Sequence, residues 1–231
     1  MATRGEILEE LGLAPTWRLR TRDGVAPAQA SDATIAGDAR IARIARLELD
    51  ALASDVAGCT ACGLCRTRTM TVPGVGDARA DWMFVGEAPG AEEDERGEPF
   101  VGQAGRLLDN MLAALGVARG RGVYIANVLK CRPPNNRTPE PAEVAACRPY
   151  LERQVELVAP KLVVALGRSA ASTLLGVDAS IASLRGRVHR LHGRPLVVTY
   201  HPAYLLRSLP DKAKAWEDLL FARRLLRDGA A

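Results

Sequence analysis

A loop rich in acids and glycines is the first segment of the sequence that could do chemistry. Residues 86–105, GEAPGAEEDERGEPFVGQAG, contain six carboxylates and two prolines. Carboxylates can act as general bases or stabilise a developing positive charge. A run of acids is usually only a solvated surface, and a glycine-rich loop can simply turn the chain. The loop becomes a candidate site because it directly follows WMFVG (residues 82–86), an apolar run typical of a buried strand.

Two further polar residues also follow strand-like runs. Asn127 ends VYIAN, and His201 lies just after LVVT (residues 196–199), within YHPAYLLR. Asn127 alone could cap a turn, and His201 alone could be a core histidine. Their occurrence together, each at the end of a strand-like run, favours a shared site.

Four apolar, β-branched runs alternate with helical patterns and predict the fold. The strands are expected at residues 82–86, 123–127, 162–166 and 196–199. Helical patterns are expected at residues 39–58, 105–115, 141–158, 169–175 and 211–228. Strands that alternate with helices form parallel sheets, so we predict a three-layer αβα fold with a central four-stranded parallel sheet. Ligands bind at the carboxyl ends of such strands, where all three polar loops lie.

The five cysteines of the chain suggest a metal site. They are Cys59, Cys62, Cys65, Cys131 and Cys147. Four thiolates can hold either Zn²⁺ or a [4Fe–4S] cluster, and their spacing does not separate the two.

Composition places few restrictions on function. The 231 residues are 48% hydrophobic and carry a net charge of +4, a mild indication of affinity for polyanions. Because no apolar run is long enough for a membrane span and no secretory signal is apparent, we expect a cytoplasmic protein. Residues 1–45 have the mixed composition of a partly disordered extension, and residues 46–231 are expected to form the α/β domain.

Three sequence blocks resemble the signature motifs of family 4 uracil-DNA glycosylases, the iron–sulfur type. They are GEAPGAEEDERGEPFVGQAGRLLDNML, VYIANVLKCRPPNNRTPEPAEVAAC and TYHPAYLLR, and the resemblance covers roughly residues 59–220. It implies a uracil-DNA glycosylase-like fold and a monofunctional enzyme that hydrolyses the N-glycosidic bond of deoxyuridine in DNA. The expected partner is uracil-containing DNA, and a nucleoid-associated monomer is expected.

The resemblance also implies catalytic roles. Glu87 occupies the position of the family's carboxylate, which faces the cation-like sugar, and Glu93 is a second choice. His201 would donate a hydrogen bond to O2 of the departing uracil, assisted by the backbone N–H of Ala88. Phe100 would present an aromatic face to the extruded base, from a loop expected to be exposed. Asn127 would read O4 and N3–H, because a side-chain amide is both donor and acceptor.

Contacts with DNA are expected from two loops. Leu205 is predicted to fill the space left by the extruded base, and Arg207 to contact a phosphate. Arg132 and Arg137, in a proline-rich loop, are also expected to contact the DNA backbone. Residues 185–227 add a local basic excess, with ten lysines and arginines against three acids.

The resemblance favours a [4Fe–4S] cluster over zinc. Cys59, Cys62, Cys131 and Cys147 match the family's ligands, whereas Cys65 does not, although the C-x2-C-x2-C spacing leaves its role open. Hydrolysis involves no electron transfer, so the cluster is expected to be structural. The alternative is a noncatalytic iron–sulfur protein that binds DNA or senses redox state.

Overall fold

The computed structural model describes residues 2–12 and 32–229. The chain divides into two compact units, Met1–Asp38 and Ala39–Ala231, so the boundary falls before the expected position 45. Much of the predicted extension, residues 13–31, lies outside the described residues, and its partial disorder stays a prediction. The second helix begins at Asp32, earlier than the expected Ala39.

The helices of the described residues connect or flank the strands of the sheet. They are α1 Arg4–Glu10, α2 Asp32–Ile44, α3 Leu49–Ala57, α4 Ala91–Arg96, α5 Gln103–Leu115, α6 Pro141–Val158, α7 Arg168–Leu175, α8 Ile181–Leu184, α9 Pro202–Leu205 and α10 Asp211–Arg227. None of them is long and apolar enough to cross a membrane.

A mostly parallel sheet forms the centre of the larger unit. Its strands are β1 Val75–Gly76, β2 Trp82–Gly86, β3 Ala118–Arg119, β4 Gly122–Asn127, β5 Leu162–Leu166, β6 His189–Leu191 and β7 Arg194–Thr199. The order is β1-β4-β2-β5-β7-β6, with β3 beside β4. The parallel centre, β4-β2-β5-β7, confirms the four predicted strands. Three strands of two or three residues were not predicted, because they are too short to show a period.

Helices cover both faces of the sheet and complete the three layers that the sequence predicts. On one face, α5 and α10 pack against the alternate strand residues that include Phe84. On the other face, α6 and α7 pack against the set that includes Met83 and Val85. The strands are therefore buried on both sides, as their continuous apolar runs require.

The chain before the cysteines is anchored on α6. Leu52 and Val56 of α3 pack with Ile44 and with Tyr150 of α6. The Tyr150 hydroxyl donates to Asp55 Oδ1 at 2.5 Å. This packing brings Cys59, just beyond α3, next to Cys147 on α6.

Candidate active site

A cavity of about 540 Å³ opens at the carboxyl edge of the sheet. Its lining includes Glu87 after β2, Asn127 at the end of β4 and His201 after β7. The structure therefore brings together the three side chains that the sequence singled out. Ala88, which was expected to assist His201, is half-buried in the same lining.

Two glycines allow these side chains to converge. Gly86 pairs in register with Asn127, and a Cβ at Gly86 would lie 2.4 Å from Asn127 Oδ1 and 2.6 Å from the Phe100 ring. At the end of β5, Gly167 has φ +91°, and a Cβ there would lie 2.9 Å from the His201 Cβ. Because β5 separates β2 from β7, a side chain at position 167 would obstruct the approach of His201 to the cavity.

Asn127 presents an unused hydrogen-bond acceptor at the cavity. The residue is only 2% exposed, and its Oδ1 has no hydrogen-bond partner among the described residues. Buried side-chain polar atoms are nearly always paired, so an orphaned acceptor in a cavity wall indicates a ligand with an N–H or O–H group.

Phe100 differs from its expected environment. It is 6% exposed and packs against the core of the sheet, so the prediction of an exposed loop is wrong. Its ring still lines the cavity, with its centroid 5.6 Å from that of His201. The backbone reaches this position through a left-handed conformation with φ 56°.

The two candidate carboxylates have different surroundings. Burial raises the pKa of Glu87, and a hydrogen bond with Ser169 opposes the rise. Glu93 accepts from the backbone N–H groups of Gly90 at 3.0 Å and Val101 at 2.9 Å. Both Glu93 oxygens therefore hold the loop, and the geometry favours Glu87 as the carboxylate that serves a ligand.

His201 is poised as a neutral donor. Its Nδ1 accepts from the Ala203 N–H at 3.1 Å, so the proton of the neutral ring lies on Nε2. Burial lowers the pKa of His201 to about 4, the nearby charge of Arg207 also lowers it, and Glu93 opposes this effect. The imidazole is therefore uncharged near neutral pH.

The predicted inserted side chain, Leu205, is contradicted by the structure. Leu205 is 1% exposed and packs with Tyr200 and Ala215, so it is part of the core. Its neighbours Tyr204 and Leu206 are 40% and 39% exposed. Sequence alone did not separate adjacent positions of the short helix α9, which point in different directions.

The three predicted DNA-binding arginines differ in how their charge is engaged. Arg137 makes two hydrogen bonds to Glu143, at 2.6 and 2.9 Å, and lies 3.1 Å from Glu140. Its charge is therefore compensated within the loop. Arg132 donates to Asn136 Oδ1 at 2.8 Å.

Arg207 is exposed at the cavity and has no ion-pair partner among the described residues. Sequence reasoning missed several other residues of the lining, among them Asn136, Thr138 and Tyr204. The Pro-Pro-Asn-Asn turn signal before Arg137 could have identified the first two, since turns of this composition shape ligand loops.

All five cysteines line a second, smaller cavity. Around it, Arg68 Nη1 donates to Cys131 Sγ at 3.1 Å, and the Lys130 N–H donates to Cys147 Sγ at 3.2 Å. No three His, Cys, Asp or Glu side chains of the described residues are grouped so that they could hold one metal ion. The donor set is thiol-rich, which suits a soft metal centre.

The fold and the cavity define an α/β protein that takes a ligand at the carboxyl edge of its sheet. Residues 73–220 match the family model of the uracil DNA glycosylase superfamily, and the chain belongs to this superfamily. It is 46% identical over 166 residues to a type-4 uracil-DNA glycosylase of Archaeoglobus fulgidus, a match that covers 68% of this chain and 83% of the relative.

Other relatives agree with this assignment. A type-4 uracil-DNA glycosylase of Thermotoga maritima is 46% identical over 172 residues, covering 73% of this chain and 89% of the relative. A type-5 uracil-DNA glycosylase of Thermus thermophilus is 35% identical over 149 residues, or 56% and 68% of the two chains. The resemblance found in the sequence motifs is thus confirmed.

Proposed function

We propose that this protein is a monofunctional uracil-DNA glycosylase of DNA repair. It hydrolyses the N-glycosidic bond of deoxyuridine in DNA, releases uracil and leaves an abasic site. The observation that carries this proposal is the convergence of Glu87, Asn127 and His201 on one cavity, in a chain 46% identical to type-4 uracil-DNA glycosylases.

Recognition of the base rests on Asn127 and Phe100. A base held in this cavity must first leave the DNA stack. The unpartnered Oδ1 of Asn127 accepts from uracil N3–H, while Nδ2 donates to O4. Phe100 supplies the aromatic surface against which the ring packs. A cytosine presents an acceptor at N3 and a donor at its amino group, so it mismatches the same amide.

Bond cleavage rests on charge stabilisation. As the bond breaks, negative charge develops on uracil O2, and the Nε2–H of His201 donates to it. A neutral donor suffices, and the hydrogen bond from Ala203 to Nδ1 fixes the required tautomer. Glu87 stabilises the cation-like sugar and orients the attacking water. Glu93 acts indirectly by holding the loop that carries Phe100.

The cysteine site is proposed to hold a [4Fe–4S] cluster through Cys59, Cys62, Cys131 and Cys147. A single Zn²⁺ draws its four ligand atoms to about 2.3 Å from one centre, a tighter grouping than a cluster with four irons requires. The described residues contain no such tight group, which favours the cluster over zinc. When bound, the cluster supplies a crosslink between the segment after α3 and α6.

DNA is proposed to approach from the open side of the cavity. Arg207 offers an uncompensated charge for a phosphate, and the exposed Tyr204 and Leu206 replace Leu205 as candidates to face the unstacked bases. Arg132 is proposed as a further backbone contact. Arg137 serves mainly to hold its own loop through Glu143.

The test is uracil release from an oligonucleotide with one deoxyuridine, compared with matched oligonucleotides carrying cytosine or thymine. We expect free uracil and an abasic site from the first substrate only. Binding of the uracil oligonucleotide without release would instead support the noncatalytic DNA-binding alternative. Iron and sulfide analysis beside a zinc assay tests the cluster.

Domain limits, monomeric state and location remain proposals of the same kind. We propose a catalytic domain over residues 46–231 and a cytoplasmic, nucleoid-associated monomer. Size-exclusion chromatography with light scattering measures the first property of the assembly, and fluorescence microscopy of a tagged chain measures the second.

A further inference from the structure

A buried lysine lies between the two sites of the molecule. Lys130 is 1% exposed and follows Asn127 by three positions. Its Nζ donates to the backbone carbonyl of Asn127 at 2.7 Å and to Gln154 Oε1 at 2.6 Å. None of the roles proposed for the cavity uses this side chain.

The main chain of Lys130 points to the other site. Its N–H donates to Cys147 Sγ at 3.2 Å, and its carbonyl accepts from the Val72 N–H at 2.8 Å. The next residue is Cys131. One residue therefore contacts the backbone of the proposed base-reading amide and a thiol of the cysteine site.

Gln154 on α6 anchors the far end of this network. Its Nε2 donates to the Pro73 carbonyl at 2.6 Å and to the Tyr124 hydroxyl at 3.2 Å. Lys130 Nζ is thus held between a helix and the end of β4. An ammonium group is costly to bury, and an apolar side chain would fill the same space at lower cost. The bond to the Asn127 carbonyl supplies a reason for a lysine here.

We propose that Lys130 is a positioning residue, which fixes Asn127 for base recognition and joins it to the cysteine site. The inference rests on the proposed function, because it assumes that Asn127 reads the base. Displacement of a recognition group by about 1 Å can cost on the order of a hundredfold in rate. A tether on the carbonyl of Asn127 restrains the main chain from which the amide projects.

The experiment is a double-mutant cycle on the full chain, with kcat/KM for uracil release as the readout. Lys130→Met is expected to lower kcat/KM by about tenfold to a hundredfold, as misplacement of a recognition group does. In an Asn127→Ala background the same change is expected to cost less than about threefold, because the residue through which it acts is already gone. Lys161→Met, at a lysine 67% exposed, is the matched control and should change nothing.

A second variant tests the same link if Lys130→Met does not fold. Gln154→Met keeps the lysine and removes its other anchor, so a smaller loss is expected, again absent beside Asn127→Ala. Losses that multiply fully in the two backgrounds overturn the positioning role, as does full activity of Lys130→Met. If Asn127→Ala itself releases uracil normally, the proposed function of the cavity fails first, and the two failures are distinguished.

Discussion

His201 illustrates how one hydrogen bond determines a side chain's chemistry. Because Nδ1 is occupied by the Ala203 N–H and the pKa of His201 is lowered to about 4, the ring is a neutral Nε2–H donor throughout pH 5–8. We expect no ionisation of His201 near pH 6.5 in NMR titrations or in kcat/KM. His201→Ala should lower kcat by about a hundredfold to a thousandfold, as loss of an oxyanion donor does. His192→Ala, at an exposed histidine, is the control.

Glu87 combines a functional and an energetic effect. Its pKa is raised by burial, so the folded state binds the proton more tightly than the unfolded state, and stability falls as pH rises through this window. Glu87→Gln should therefore unfold at the same or a higher temperature at pH 7, yet lose about a hundredfold or more in kcat. Glu95→Gln, at an exposed carboxylate of the same loop, should leave both unchanged. A stability loss with normal turnover would assign Glu87 a structural role.

Asn127 tests recognition separately from catalysis. In Asn127→Asp the side chain keeps its acceptors and loses the donor to O4. Selectivity for uracil over cytosine should fall by about tenfold or more, because a bidentate contact contributes about 1–3 kcal/mol of discrimination. Release from both oligonucleotides measures this ratio. Asn135→Asp, at an exposed asparagine outside the cavity lining, is the control, and an unchanged ratio in Asn127→Asp would contradict the assignment.

At the scale of elements, the cysteines connect the segment after α3 with α6. Cys147→Ser is expected to abolish iron binding and to lower the midpoint of thermal unfolding by about 5–10 °C, if the site contributes a few kcal/mol to folding. Inductively coupled plasma analysis and calorimetry measure the two effects. Cys65→Ser is the comparison, since Cys65 lines the same cavity yet falls outside the proposed ligand set. Loss of iron in this variant would make Cys65 a ligand.

At the scale of the whole molecule, charge controls the encounter with DNA. The net charge is +4, and the ten basic residues between positions 185 and 227 outnumber three acids. Arg207→Gln should weaken DNA binding at low salt and reduce the slope of log affinity against log salt by about one. Arg227→Gln removes an equal charge that is paired with Asp228, and it should leave the slope nearly unchanged. Equal slopes for Arg207→Gln and the parent would exclude a phosphate contact.

The sequence by itself determined the architecture and the set of cavity residues. The parallel strands are buried on both faces, so each appears as a continuous apolar run, and the polar residues that follow must lie at one edge of the sheet. Asn127 and His201 were identifiable for this reason. Motif order added the family, which the comparisons confirmed.

The tertiary structure alone decided which way neighbouring side chains face and which distant groups pair. Leu205 is buried while Leu206 is exposed, because α9 turns one position toward α10 and the next toward solvent. Glu93 binds loop amides, and Lys130 meets Gln154 from a helix 24 positions away. Local sequence sets the backbone period, but these contacts depend on the packing of segments far apart in the chain, which no local pattern encodes.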